Sequence, residues 1–479
     1  MKRSRLGWVL LFAALPALAE DAAPKRPKLD LTPKRVDESP AALSKSLDEA
    51  LAAGSFENAL YAYRSLVYAT GAEDAARLGK VAHLALVDDM RHGKNWIRLG
   101  AAEALARRGD AEAVALLRSE VSNTAAKPVF RLRAIEVLGE IRDAAALPVL
   151  APLPFDPARS APERLAAADS LLALGDVGSA SYLVGLLAGP RGPDRLRAAE
   201  ILGERKVTVV DALRRAAQVE GDSDLHIAAL RGLALQGDAE ALSTLRRDFG
   251  ENPELVLPVI ESRAVAPAPG GEGTPPEEVP QPTRKVDVRE VVLRLKLAHA
   301  LFDLGDPRPV PYVAKVIREG SLPGNQGLLA ARIAKFDPAL GLELLRVVLA
   351  DSDPDSVAYA AEELVRLKHP EGVVEALSAT YRWSKSTDTS ASGPRQRPVE
   401  ALSRSQLPAA IPLLREALAD PEATIRIAAA SGLARLGEAE GLTELRRILD
   451  GGQPADALRA AEALVDIGST APTPTSPAR

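Results

Sequence analysis

Histidine is the side chain most often met in acid–base and metal sites, and this chain has five: His83, His92, His226, His299 and His369. None stands four residues from another and none lies in an H-E-x-x-H motif. The spacing that presents two imidazoles to zinc from one helix face is therefore missing. Cysteine is absent, which removes thiolate ligands, thiol nucleophiles and disulfides together. There is no G-x-S-x-G elbow and no G-x-x-x-x-G-K-[ST] phosphate loop. Asp351, Asp353 and Asp355 alternate as calcium ligands do, but Ser356 stands where a calcium loop needs glycine. Pro354 and the helical pattern after it read instead as a turn with an N-cap. The sequence thus offers no catalytic residue, no metal site and no cofactor site.

One set of ionisable residues does recur at a fixed spacing. Glu103, Glu136, Asp169 and Glu200 each stand five residues after a basic residue, Arg98, Arg131, Arg164 and Arg195. Lying between apolar positions of a helix, they are expected to face away from the neighbouring helix and to stack as an acidic stripe. Such a stripe would dock a basic or extended segment of a protein partner. The competing reading is local, because Arg133–Glu136, Arg197–Glu200 and Arg459–Glu462 are i,i+3 pairs that solvate a helix. Exposed pairs of that kind are worth about 0.2–0.5 kcal/mol each.

What positions these residues is a repeated phrase. "RLGAAEALARRGDAEAVALL" begins at Arg98, "RLAAADSLLALGDVGSASYL" at Arg164 and "RIAAASGLARLGEAEGLTEL" at Arg426. The phrase restarts at Arg98, Arg131, Arg164, Arg195, His226, Arg294, Val357, Arg426 and Ala457, with early intervals of 33, 33, 31 and 31. The longer gaps around Val357 each have room for one degenerate unit, near "LLAARIAKFDPAL" and "VEALSRSQLPAAIPLL". Within a unit, Ala101, Ala102, Leu105 and Ala106 share one face at helical spacing. Gly109 permits the left-handed turn that ends the helix, and Asp110 is placed to cap a second helix carrying Val114 and Leu117. A hairpin of this size cannot bury both faces alone, so the chain is expected to be all-α: an α-solenoid of stacked helical hairpins. Aromatics are only 4% of the residues, so the core must come from closely approaching Ala/Leu helices.

At these residues the chain resembles the HEAT repeat family, and in particular the short bacterial HEAT-like repeats of phycobilisome lyase type. "LADPEATIRIAAASGLARLGEAEGLTELRRIL", Leu418 to Leu449, carries the likeness best. The resemblance implies a solenoid whose first helices line a groove, with Arg98, Arg131, Arg164, Arg195, Arg294 and Arg426 in the structural Arg position. It also implies an Asp six residues before each Arg, forming a ladder of pairs. Only Asp420 before Arg426 fits. His92, Ala125, Ala158 and Gly189 occupy the place before the first four. Those arginines must find acids of adjacent repeats or stand alone.

The flanks complete the organisation. Lys2, Arg3 and Arg5, the apolar run Leu6 to Leu18 and the Ala17-Leu18-Ala19 motif read as a secretory signal peptide, 1–19. A polyampholyte spacer (20–40), an N-terminal helical cap (41–94) and a first repeat block (95–262) follow. A Pro-rich loop (263–285), a second block (286–468) and a loose tail (469–479) complete the chain. The Pro-rich segment is read as a loop excursion within a continuous superhelix rather than a hinge. The last helix, Ala455 to Ile467, has no second helix after it and is expected to close the far end.

The net charge is −5, and loss of the three leader bases makes it more negative. That balance gives no footprint for nucleic acid, and cleavage would leave no membrane insertion. The functional expectation is an exported protein, periplasmic or secreted, acting as a non-enzymatic interaction scaffold. An enzyme accessory related to lyases and an envelope spacer are the alternatives.

Overall fold

A computed structural model describes residues 39–250, 288–319, 325–387 and 393–470. The expected leader, most of the spacer, the Pro-rich loop and residues 471–479 lie outside them. The described residues form α-helices, four short 3-10 turns and no strand. Helices α1 (Pro40–Ala52), α2 (Phe56–Thr70) and α3 (Ala75–His92) come first. Hairpins follow: α4 (Asn95–Ala106) with α5 (Ala111–Ser122), α6 (Pro128–Glu140) with α7 (Leu147–Leu150), and α8 (Ala161–Ala173) with α9 (Ala180–Leu187). Next come α10 (Pro193–Glu204) with α11 (Val210–Ala217), α12 (Ser223–Leu235) with α13 (Ala239–Phe249), and α14 (Val288–Asp303) with α15 (Val310–Arg318). Then α16 (Gln326–Ile333) pairs with α17 (Pro338–Val348), and α18 (Pro354–Arg366) with α19 (Val373–Thr387). The last pairs are α20 (Gly393–Ser405) with α21 (Ile411–Ala417) and α22 (Ala423–Arg435) with α23 (Ala439–Gly451), before α24 (Pro454–Thr470). The α16–α17 and α20–α21 pairs are the two degenerate repeats that the sequence gaps made room for. The tail expected from Ser469 is helical through Thr470.

One repeat shows why the phrase recurs. Ala101, Ala102, Leu105 and Ala106 of α4 are buried, as the spacing requires. On α5 the buried stripe is Ala113, Leu117 and Val121: Leu117 lies on it as expected, while Val114 is only half-buried and Ala113 takes its place. Each fully buried Leu contributes about 1.5–3 kcal/mol. Gly109, at φ 87°, lets the chain turn left-handed, and the Asp110 amide donates back to the Leu105 carbonyl at 3.2 Å. The Asp110 carboxylate then accepts from the Ala113 amide at 2.9 Å, starting α5. Asp353 likewise accepts from the Ser356 amide at 2.9 Å and starts α18, the capping role expected for that aspartate cluster.

Packing divides the chain into two compact units. Unit 1 takes the described residues up to Leu117 and from Leu377 onward; unit 2 is Arg118–Ala376. The division does not fall at the Pro-rich insertion, whose flanking helices α13 and α14 pack on each other inside unit 2. Within unit 2 the first helices α6 and α8, and again α10 and α12, pack closely on each other. Hairpins stacked side by side in this way are the α-solenoid arrangement. Small residues set that spacing. The Cβ of an alanine at Gly203 on α10 would lie 2.6 Å from Gly232 Cα on α12, and one at Gly139 on α6 would strike Ser170 on α8.

Unit 1 departs from the expectation of two separate end caps. Its tightest helix pair is α3 with α24, one from each end of the chain. Gly79 and Gly468 meet at backbone contact, where a Cβ on Gly468 would lie 2.8 Å from Gly79 Cα. Among the described residues no helix follows α24, and α3 packs against it in that place. The N-terminal segment therefore covers the last repeat directly.

Candidate protein-interaction face

The first helices carry the stripe residues, and the structure places none of the four as a bare surface acid. In unit 1, Glu103 on α4 is 6% exposed and lies 3.6 Å from Arg107 one turn on. In unit 2, Glu136 on α6 accepts from Arg133 at 3.2 Å, and Glu200 on α10 accepts from Arg197 at 3.0 Å. Asp169 on α8 is bonded across repeats, by Arg205 at the end of α10, at 2.5 Å. All three unit 2 acids are half-buried. The acids expected from spacing alone are thus members of neutralised pairs, each beside an arginine one turn away on its own helix or, for Asp169, one repeat on.

The ladder continues through unit 2 with the signs exchanged. Arg231 on α12 stands 2.9 Å from Asp303 on α14, and Asp303 also holds Arg332 of α16 at 2.7 Å. Arg332 donates to the His299 carbonyl at 3.0 Å, and Lys296 reaches Asp224 at 2.5 Å. Burial pushes the His299 imidazole down to about 4, with Arg332 adding to the shift and Asp303 opposing it. At neutral pH His299 is therefore an uncharged member of the row. Successive helices are tied by opposite charges, so the face is polar, ordered and close to charge balance.

The structural arginines have separate fates. Arg131 is buried and donates to Glu163 on α8 at 2.7 Å, with Glu163 itself fully buried. Glu163 also closes a capping box with Ser160. Burial pushes the Glu163 carboxyl up, but the bonds from Arg131 and Ser160 outweigh it and hold the group below the usual carboxylate range. Arg164 donates to the Pro154 carbonyl at 3.0 Å and stacks 4.8 Å from the Tyr182 ring. Arg294 pairs with Glu290 at 3.2 Å within its own helix. Arg195 is half-buried and Arg98 exposed.

Arg426 corrects the implied ladder most clearly. It donates to the backbone carbonyls of Asp420 and Pro421, at 2.8 and 2.7 Å, rather than to the Asp420 carboxylate. That carboxylate, 1% exposed, accepts from the Tyr381 hydroxyl of α19 at 2.9 Å. The residues that sequence reasoning missed are Glu163 and Tyr381. The S-x-x-E capping box at Ser160 was a readable signal for Glu163; nothing in the local pattern marks Tyr381.

Among the described residues no cluster of His, Asp and Glu could hold a metal ion. No helix among them is long and apolar enough to cross a membrane. No curated protein matches the sequence. Among solved structures, the crystal structure of Kap121p bound to Ste12p is similar at 13% identity, over 88% of this chain and 56% of that one, with a TM-score of 0.31. This chain therefore spans little more than half of that one, and at such a score the likeness supports no inference. The HEAT-repeat family profile matches residues 84–160 and 387–465, and in both stretches the chain carries HEAT repeats.

Proposed function

We propose that this protein is an exported, non-enzymatic scaffold that holds an extended segment of another protein along the first helices of its repeats. The observation that carries this reading is the row of charged pairs on the first helices of unit 2: Arg133–Glu136 within α6, Asp169–Arg205 between α8 and the end of α10, and Arg231–Asp303–Arg332 across α12, α14 and α16. Each pair is partly accessible and is worth at most about 1 kcal/mol in place. A partner can therefore exchange one member of a pair for its own side chain at little cost, while the packed helices hold the rest in register. Near charge balance favours a segment carrying both signs over a purely basic one. Export rests on the basic, apolar and Ala-x-Ala succession of the first nineteen residues.

The test is in-cell crosslinking of the full chain, with mass spectrometry to identify what is captured. It is repeated on the double charge reversal Glu136→Lys, Glu200→Lys. The expected result is a partner captured by the wild type and lost, at least tenfold, from the reversed protein. Equal recovery from both would overturn the reading.

A further inference from the structure

The first helices of unit 1 pack in the order α20, α22, α24 and α4. Three of them carry an acid at the same place of the repeat: Glu400 on α20, Glu462 on α24 and Glu103 on α4. The arginines around these acids have carboxylates to hold. Glu400 lies 3.4 Å from Arg397 and 3.5 Å from Arg404, Glu103 lies 3.6 Å from Arg107, and Asp466 of α24 takes Arg108 at 2.5 Å. Helix α22 breaks the pattern. Ser431 stands in the acid's place, and its hydroxyl donates to the Ile427 carbonyl of its own helix at 2.7 Å. One turn on, Arg435 has no carboxylate within ion-pair distance among the described residues.

Close packing sets Arg435 against α20. A Cβ on Gly432 would lie 2.8 Å from Ser403 Cα, and Arg435 Nη1 donates to the Ser403 hydroxyl at 3.2 Å. That neutral contact fixes one corner of the guanidinium. Its Nε and Nη2 have no protein acceptor among the described residues and are open to solvent. Elsewhere in this protein the same edge takes a carboxylate by two parallel bonds. Arg91 holds Glu112 at 3.0 and 2.6 Å, and Arg118 holds Asp143 at 2.5 and 2.7 Å.

We propose that the Nε–Nη2 edge of Arg435 is a binding site for a carboxylate, supplied by an acidic side chain of a protein partner or by a small free acid. A half-buried guanidinium keeps its proton, so an incoming anion is what relieves the cost of its charge. Burial pushes the Arg435 guanidinium below its ordinary value, with Asp466 opposing the shift and Arg404 adding to it. Asp466 is engaged by Arg108, and Glu400 by Arg397 and Arg404. These acids also select the ligand: a carboxylate, with one negative charge, meets less repulsion from them than a doubly charged phosphate does. The site lies in unit 1, so it stands or falls apart from the charged row of unit 2.

NMR of the arginine Nε–Hε groups in the full chain tests the site, with sodium acetate replacing sodium chloride at constant ionic strength. The Arg435 signal, assigned by its loss in Arg435→Lys, is expected to shift along a saturating curve with a midpoint on the order of 10–100 mM. Arg98, which is exposed, should drift linearly and serves as the reference. In Ser431→Glu, which gives α22 the acid of the other three helices, Arg435 should start near the saturated position and bind acetate at least tenfold more weakly. A blocked Gly-Glu-Gly peptide identifies the source. Binding tenfold tighter than acetate assigns the site to a partner side chain, and equal binding to a small acid. Linear drift of wild-type Arg435, as at Arg98, would overturn the proposal whether or not the variant folds. So would an unchanged titration in Ser431→Glu, or phosphate binding tighter than acetate.

Discussion

Two carboxylates on the first helices of neighbouring repeats have opposite worth. Glu163 is fully buried, bonded by Arg131 and closing the cap of its own helix, whereas Glu200 is half-buried beside one arginine. Removing Glu163 strands a buried guanidinium, a loss of about 3–5 kcal/mol in comparable buried pairs. Glu163→Ala should therefore lower the urea midpoint markedly, while Glu200→Ala should cost less than about 1 kcal/mol. Because the Glu163 carboxyl is held below its ordinary value, its contribution is complete above the unfolded carboxylate range. It disappears as pH falls through its own depressed value, and the gap between the two variants should close in acid. Unfolding curves at neutral and acid pH check both statements.

Helices in this chain are close because particular positions are small. Gly203 and Gly232 meet backbone to backbone between α10 and α12, and a Cβ on Gly203 would lie 2.6 Å from Gly232 Cα. Gly185, inside α9, has no atom within 4 Å of the same imagined carbon. The two alanine substitutions should therefore differ in sign. Gly203→Ala should destabilise by about 1–3 kcal/mol through overpacking. Gly185→Ala should stabilise by roughly 0.5–1 kcal/mol through helix propensity. Chemical denaturation of both variants measures this, and like effects would mean that backbone contact does not set the α10–α12 spacing.

For the molecule as a whole, unit 1 is assembled from two stretches far apart in sequence, up to Leu117 and from Leu377. The last helix completes its hairpin with α3, a helix from the other end of the sequence. Ending the chain at Gln453, which removes α24, should uncover the buried face of α3. Exchange protection across Ala75–His92 should then collapse, while protection of α8 to α12 in unit 2 is retained. Intact protection of α3 in the truncated protein would show that the N-terminal helices stand on their own.

The phrase repeated from Arg98 to Arg426 determined by itself that the chain is a stack of helical pairs, because period, small-residue faces and Gly-Asp turns are local properties of about thirty residues. It located even the degenerate repeats at α16–α17 and α20–α21. The face was legible only in part: the acids at 103, 136, 169 and 200 were read from spacing, but their neutralisation was not. Arg205 reaches Asp169 from 36 residues away, and Tyr381 reaches Asp420 from 39, separations at which no helical period speaks. The junction of α3 with α24 was decided by tertiary structure alone. An unpaired last helix shows in sequence that an apolar face needs cover, but several helices are apolar enough to supply it. Which one does is a long-range packing choice that no local period encodes.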